Sequence, residues 1–388
     1  MTSIDSRLVA GGLAMVLAAA VACTGTGEGA GRGDDVAEGP DEAAATWRYP
    51  GADWERTDPG DAGFDAARLD HLADQAEAAG STCLVVTREG VVVDERTWGP
   101  VGDGPREAFS VTKSVTSTLV GIAADEGALS LDDPVADHVP EWRDPPSASV
   151  TIRNLLSNDS GRHWDLATDY AQMALGAQDK TAFAVGLGQD APPGEVWAYN
   201  NSAIQVLSAV LESATGRPAA EYAEDRLFAP VGMAHTTMGA DGAGNTMTFM
   251  GLQTTCLDLA RFGYLAMRDG AWDGDQVVST DFVEAATGRS STPLNAAYGL
   301  LWWLNRPGPV VSPLIASAAR GGTGTQAGPV VPGAPEDAFW ALGFRNQIVA
   351  VVPSEGIVAV RLGAPPPEHA PFTQTELTLG VLDALGER

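Results

Sequence analysis

Apolar positions along this chain change their spacing several times, and each change predicts a different element. Over residues 64–79, Leu69, Leu72 and Ala76 recur among charges, the spacing of a helix with one buried stripe. Two β-rich runs follow, 82–87 and 91–97, separated by Arg88-Glu89-Gly90, and predict a hairpin. From Val111 to Ala124 small and apolar residues cover most faces. A helix there, opening at Ser110 and ending near Gly127, is expected to be enclosed on several sides. Residues 128–217 read as helix and loop, with an apolar helix over 204–214 stopped by Gly216 and Pro218. The helical pattern continues over 220–227 and 257–267, and 321–335 is a Gly/Pro-rich loop. Strands return only at the end, over 339–342, 347–352 and 356–362, before a closing helix at 375–385. The simplest architecture is α/β (α+β): one antiparallel sheet built from both ends of the chain, flanked by helices, with a mostly helical insertion. The expected domain spans 53–388, its sheet parts being 53–109 and 335–388 around a helical middle of 110–334.

Ahead of it, Arg7 and an apolar run from Leu8 to Ala22 lead straight into Cys23. The run is short for a membrane span and reads as a signal peptide, 1–22. The apolar–small–Cys order resembles a bacterial lipobox, which implies a lipid anchor on Cys23 and a membrane lipoprotein facing outward. Ala20-Val21-Ala22 also suits ordinary signal peptidase, which would give a soluble secreted form. Residues 23–52 contain little to bury and read as a flexible tether. Cys83 and Cys256 either pair in an oxidising compartment or serve as two buried thiols.

The 388 residues carry a formal net charge of −28, which argues against nucleic acid or anionic lipid headgroups as partners. No metal-ligand spacing, phosphate loop or Gly-x-Ser-x-Gly turn occurs, so no cofactor is expected. Nothing in the sequence sets the oligomeric state.

Only two of the 23 basic residues are lysines, Lys113 and Lys180. A chain that otherwise uses Arg for its cations keeps Lys where a proton has to come off. Lys113 stands three residues after Ser110, one turn along the same helix face, the geometry of a serine nucleophile activated by an amine. The plain alternative is a capping Ser110 and a solvated Lys113 in the first turn. Two features oppose it: an ammonium there opposes the helix dipole, and the apolar helix around it desolvates the amine.

A second cluster, Trp197-Ala198-Tyr199-Asn200-Asn201-Ser202, follows the turn at Pro192-Pro193-Gly194 and leads into a helix. Taken alone it is an aromatic plug with an Asn cap. Taken with Ser110-x-x-Lys113, the order Ser-x-x-Lys then Tyr-x-Asn resembles the serine hydrolases of β-lactamase fold. These include class C β-lactamases, some DD-peptidases, β-lactamase-like carboxylesterases and 6-aminohexanoate-dimer hydrolases, the last two being the branch it most resembles. The stretches 125–135, 151–161, 195–233 and 251–267 also look like this family, and the resemblance covers roughly 61–363.

The resemblance implies a β-lactamase/transpeptidase-like fold and an acyl-enzyme on Ser110, with Lys113 or Tyr199 as the base. It implies that Asn201 hydrogen-bonds Lys113 and the substrate, and that the backbone N–H groups of Ser110 and Phe344 form an oxyanion hole. One element departs from the family. Its Lys-Thr-Gly strand matches Trp340-Ala341-Leu342-Gly343-Phe344 here, which puts Ala341 where the cation stands; Arg320-Gly321-Gly322-Thr323-Gly324 is a rival placement. Gly343 would allow close backbone approach. Arg345 is a nearby cation, and Tyr170, Trp303 and Phe344 are candidate pocket residues. The expected function is cleavage of small esters or amides. The competing readings are a penicillin-recognising enzyme and a noncatalytic binding protein that kept the fold.

Overall fold

The β-rich runs at the two ends of the chain pair with each other, because neither end alone supplies enough strands to satisfy its backbone and cover its apolar faces. A computed structural model describes residues 47–99, 104–314 and 325–386. Strands β1 (Ser81–Arg88) and β2 (Val91–Thr97) form the hairpin. With β3 (Trp303–Leu304), β4 (Phe339–Gly343), β5 (Gln347–Val352) and β6 (Ile357–Gly363) they make a six-stranded sheet of order β2-β1-β6-β5-β4-β3, antiparallel throughout. All of β5 and all but the last residue of β6 are buried, because helices cover both faces.

On one face lie helix α1 (Ala66–Ala78) and the closing helix, which spans Gln374–Ala384. They meet at Gly380, where a Cβ would come 2.5 Å from Leu72 Cδ1. Trp340 of β4 points to this side and donates from Nε1 to Thr378 Oγ1 at 2.9 Å. The opposite face carries helix α2 (Val111–Asp125), on which helix α3 (Asn201–Thr215) packs, and helix α4 (Cys256–Met267). At Gly263 of α4 a Cβ would stand 2.6 Å from Val358 Cγ1, so the absent side chain lets the helix sit directly on the sheet.

Every residue of α2 from Val111 to Ala123 is buried. Its polar side chains are satisfied by backbone carbonyls of neighbouring loops: Ser114 donates to Leu301 at 2.8 Å, Ser117 to Leu300 at 2.6 Å and Thr116 to Thr248 at 2.8 Å. The hydroxyls that made this helix look small rather than apolar thus pin the surrounding loops to it.

Several expectations need correction. Strands do not confine themselves to the ends: β3 comes from the helical middle, as do Leu252–Thr254 and Thr237–Met238, which form a small second sheet with Arg106–Glu107. Strands of two or three residues are too short to leave a period in the sequence. The loop expected over 321–335 is strand at Thr325–Gly328, paired with Gly308–Val311. The helix expected over 220–227 is α-helical only at Ala219–Ala223 and widens to a π-turn at Glu224–Phe228. Trp47 and Tyr49 pack on Tyr264, so ordered sequence reaches further toward the N-terminus than residue 53. The signal peptide, Cys23, the tether up to residue 46 and Arg320–Gly324 lie outside the described residues. No helix among the described residues is long and apolar enough to cross a membrane.

Cys83 of β1 and Cys256, the first residue of α4, form a disulfide across 173 residues. It staples the helix to the sheet and closes a long loop of the unfolded chain, so chain entropy favours the native state. The double variant Cys83→Ser/Cys256→Ser is expected to lose about 2–5 kcal/mol of unfolding free energy, read from denaturant melts.

Candidate active site

Ser110 is the turn residue that opens α2, yet its side chain makes no capping hydrogen bond. The hydroxyl is thus left for other partners. Lys113 Nζ lies 2.8 Å from Ser110 Oγ and donates to the Phe249 carbonyl at 2.8 Å. Lys113 is 1% exposed, so the solvated-lysine alternative does not hold. Burial drives its pKa down to about 7, against a smaller upward pull from the Asp169 carboxylate.

The Tyr199 phenol lies beside the Ser110 hydroxyl, and its ring lies below the amine, with Nζ 4.8 Å from the centroid. Burial raises the Tyr199 pKa well above the ordinary phenol value. Desolvation thus pushes amine and phenol alike toward their neutral forms. The Tyr199 ring is clamped by other aromatics: Trp303 stacks on it with centroids 5.9 Å apart, and Tyr298 meets it edge-on at 6.2 Å. Trp303 is a buried support behind the phenol rather than a pocket wall, which corrects its expected place.

The backbone leading into Ser110 is strained. Phe109 has φ 49°, a left-handed conformation for a bulky residue, worth about 1–3 kcal/mol. Two groups hold it there. Glu107 Oε1 accepts from the N–H of Phe109 at 3.0 Å and of Gly251 at 2.8 Å, and Thr112 Oγ1 donates to the Phe109 carbonyl at 2.5 Å. Sequence reasoning missed Glu107, and its spacing to Ser110 carries no signal of this role.

Gly343 of β4 faces the entry to α2, where a Cβ would lie 2.2 Å from the Ala108 carbonyl oxygen. Only glycine lets the strand come this close to the segment carrying the hydroxyl. Phe344 follows, 39% exposed, with its ring edge-on to Phe109 at 5.6 Å. The turn beyond it is held from behind. Arg361, fully buried, donates to the carbonyls of Arg345 at 2.7 Å and Asn346 at 2.9 Å, while Gln347 Nε2 donates to those of Phe344 and Arg345. Arg345 is exposed at the tip, its guanidinium 5.5 Å from the Phe109 ring and 5.8 Å from that of Phe344. Ala341 shares the face of Gly343 and is completely enclosed, so this strand position presents no cation.

Asn201 departs from expectation. Its amide donates to Asp169 Oδ2 at 2.8 Å, and the Tyr170 phenol lies beside the same side chain, whereas the hydrogen bonds of Lys113 go to Ser110 and Phe249. Tyr170 and Asp169 belong to a π-helical segment, Ala167–Gly176, that brings them against α3. Asp169 was not singled out from the sequence, since an acid in a polar loop has no distinguishing spacing. Among the described residues no group of three or more His, Cys, Asp or Glu side chains converges on a possible metal position.

Comparisons with known proteins bear on the family and the fold. Residues 66–375 match the family model described as Beta-lactamase. The chain is 27% identical over 289 residues to 6-aminohexanoate-dimer hydrolase of Paenarthrobacter ureafaciens, covering 66% of this chain and 74% of that one. It is 32% identical over 207 residues to Esterase EstB of Burkholderia gladioli, covering 45% of this chain and 51% of that protein. The crystal structure of a penicillin-binding protein homologue from Caulobacter crescentus shares the fold, with TM-score 0.61 at 16% identity over 83% of this chain and 99% of that one.

The buried amine makes a thermodynamic prediction. Its folded pKa, about 7, lies below the unfolded value near 10.4. Between these values the unfolded chain binds more protons, so the native state gains stability as pH rises through the window and is penalised below it. Lys113→Met is expected to melt above the parent at pH 7. The gap should narrow by up to roughly 4 kcal/mol as pH approaches 10, measured by denaturant melts across pH.

Proposed function

Because this chain belongs to the beta-lactamase family and is a serine hydrolase of that family, we propose that it cleaves esters or small amides through an acyl-enzyme on Ser110, with neutral Lys113 as the base. The observation that carries this reading is the 2.8 Å approach of Nζ to Oγ inside a site that disfavours charge on either helper group. Lys113 takes the Ser110 proton as Oγ attacks the acyl carbon. The N–H groups of Ser110 and Phe344, with the dipole of α2 behind the first, receive the oxyanion. On collapse, the Tyr199 phenol gives its proton to the departing alcohol or amine and is refilled from the Lys113 ammonium. Water then attacks the acyl-enzyme and gives its proton to the same pair, which returns it to Ser110 Oγ as the acid leaves.

The names of two relatives, a dimer hydrolase and an esterase, support the ester or amide assignment. So does the enclosed Ala341, since a substrate carboxylate would find no lysine on this strand. Export as a lipoprotein anchored at Cys23 is part of the same reading, supported by the Cys83–Cys256 disulfide, which fits an oxidising compartment.

Intact mass after treatment with a fluorophosphonate and with a labelled penicillin tests the substrate class, with Ser110→Ala as control. A fluorophosphonate adduct alone is expected. A penicillin adduct of comparable rate would move the assignment to penicillin recognition, and no adduct with either would favour a binding protein. The labelling rate should follow a single deprotonation near pH 7, falling about tenfold per pH unit below it because the ammonium cannot accept the serine proton. Tyr199→Phe is expected to lower kcat on p-nitrophenyl esters by about 100-fold or more, with a smaller effect on KM.

A further inference from the structure

Asp169 is a buried carboxylate that the steps above do not use. It is 1% exposed and accepts four hydrogen bonds: from Asn201 N at 3.1 Å, Asn201 Nδ2 at 2.8 Å, Ser202 N at 2.8 Å and Ser202 Oγ at 2.7 Å. Burial pushes the Asp169 pKa up, and these four hydrogen bonds pull it back toward the ionised form, since the two backbone N–H groups and the amide NH₂ can only donate. The two backbone donors are orphans of the first turn of α3, where the helix dipole also favours an anion. A second acceptor, Asn200, already caps the same helix through Ala203 N at 2.8 Å. The helix start therefore does not need Asp169 as its cap.

What Asp169 adds is charge and alignment next to Tyr199. It comes from the π-helical segment Ala167–Gly176, a local widening of the helix that re-aims its side chains. The segment is itself fixed at its start by Asp165, which accepts from Ala167 N and Thr168 N, both at 2.9 Å. The other titratable groups around the amine are accounted for. Tyr199, Tyr170 and Tyr298 are neutral phenols whose pKa values burial raises. Glu107 is occupied by the N–H groups of Phe109 and Gly251 and by Gln253. Asp159 bonds Asn154, and burial pushes its own pKa up. Asp169 is the charge that acts on Lys113.

We infer that Asp169 is a positioning residue of this site: its carboxylate ties the first turn of α3, and with it Tyr199 and Asn201, to the segment crossing over them, and supplies the counter-charge for Lys113 in the protonated stage of the cycle. This rests on the acyl-enzyme reading above. When Lys113 has taken the serine proton, the new ammonium is buried, and a fixed anion nearby stabilises that stage without being consumed.

The test is the pH dependence of fluorophosphonate labelling of Ser110 in the full chain. Asp169→Asn removes the charge, and the Lys113 ammonium becomes easier to deprotonate. The midpoint of the acid limb should move down by ~0.5–1 pH unit, while the plateau rate falls by about tenfold or more. Ser202→Ala removes one donor and keeps the charge, so its midpoint should stay within ~0.2 unit of the parent. The exchange variant Asp169→Asn/Asn201→Asp returns a carboxylate to the pair from the α3 side and should bring the midpoint back, which also covers the case of a single variant that does not fold. An unmoved midpoint in Asp169→Asn, a shift in Ser202→Ala as large as in Asp169→Asn, or a folded exchange variant whose midpoint stays low would each overturn the role of Asp169. A parent protein that takes no label at all would remove the acyl-enzyme reading and this inference together.

Discussion

The enclosure of α2 is the constraint on which the site rests. A helix buried along its whole upper length cannot hydrate an amine, so Lys113 is held where the ammonium is disfavoured. The polar side chains around it remain tolerable because Ser114, Thr116 and Ser117 each have a carbonyl partner in a neighbouring loop. Stability and reactivity are thus set by the same burial. The penalty on the ammonium weakens the fold near neutral pH, and it is also what leaves a lone pair available to take a proton.

Around that helix the protein places its chemistry on rigid supports. Strand β4 approaches through a residue with no side chain, and the turn after it is held by a guanidinium and an amide bound to carbonyls. Tyr199 is packed between rings, and the strained Phe109 is held by Glu107 and Thr112. Strain of this kind persists only where surrounding bonds over-determine it. Strand β4 and the segment carrying Ser110 therefore come from distant parts of the sequence but meet through backbone, which limits how far either can drift.

Much of this was legible because it is local. Ser110 and Lys113 are one helical turn apart, and Tyr199 sits in a compact cluster, so their chemistry is written within a few residues. The terminal strands and the buried helix were legible because their apolar runs extend over several consecutive residues. The remainder depends on partners far apart in sequence. The carbonyl of Phe249 is chemically the same as any other carbonyl, and nothing in its side chain announces a bond to Lys113. Asp169 meets Asn201 across 32 residues through a helix widening that no propensity predicts. Trp303 packs on Tyr199, and whether a large aromatic lines a pocket or backs another ring is decided by packing on both of its faces.

The aromatic box around Tyr199 has an optical consequence. Trp303 lies nearly parallel to the phenol, inclined 27°, and Trp197 meets both rings within 6.5 Å. Indole emission responds to the charge and orientation of so close a neighbour. The protein therefore carries a built-in reporter, and each arrival or departure of the proposed acyl group on the adjacent hydroxyl should register as a change in its intrinsic fluorescence, with no dye attached.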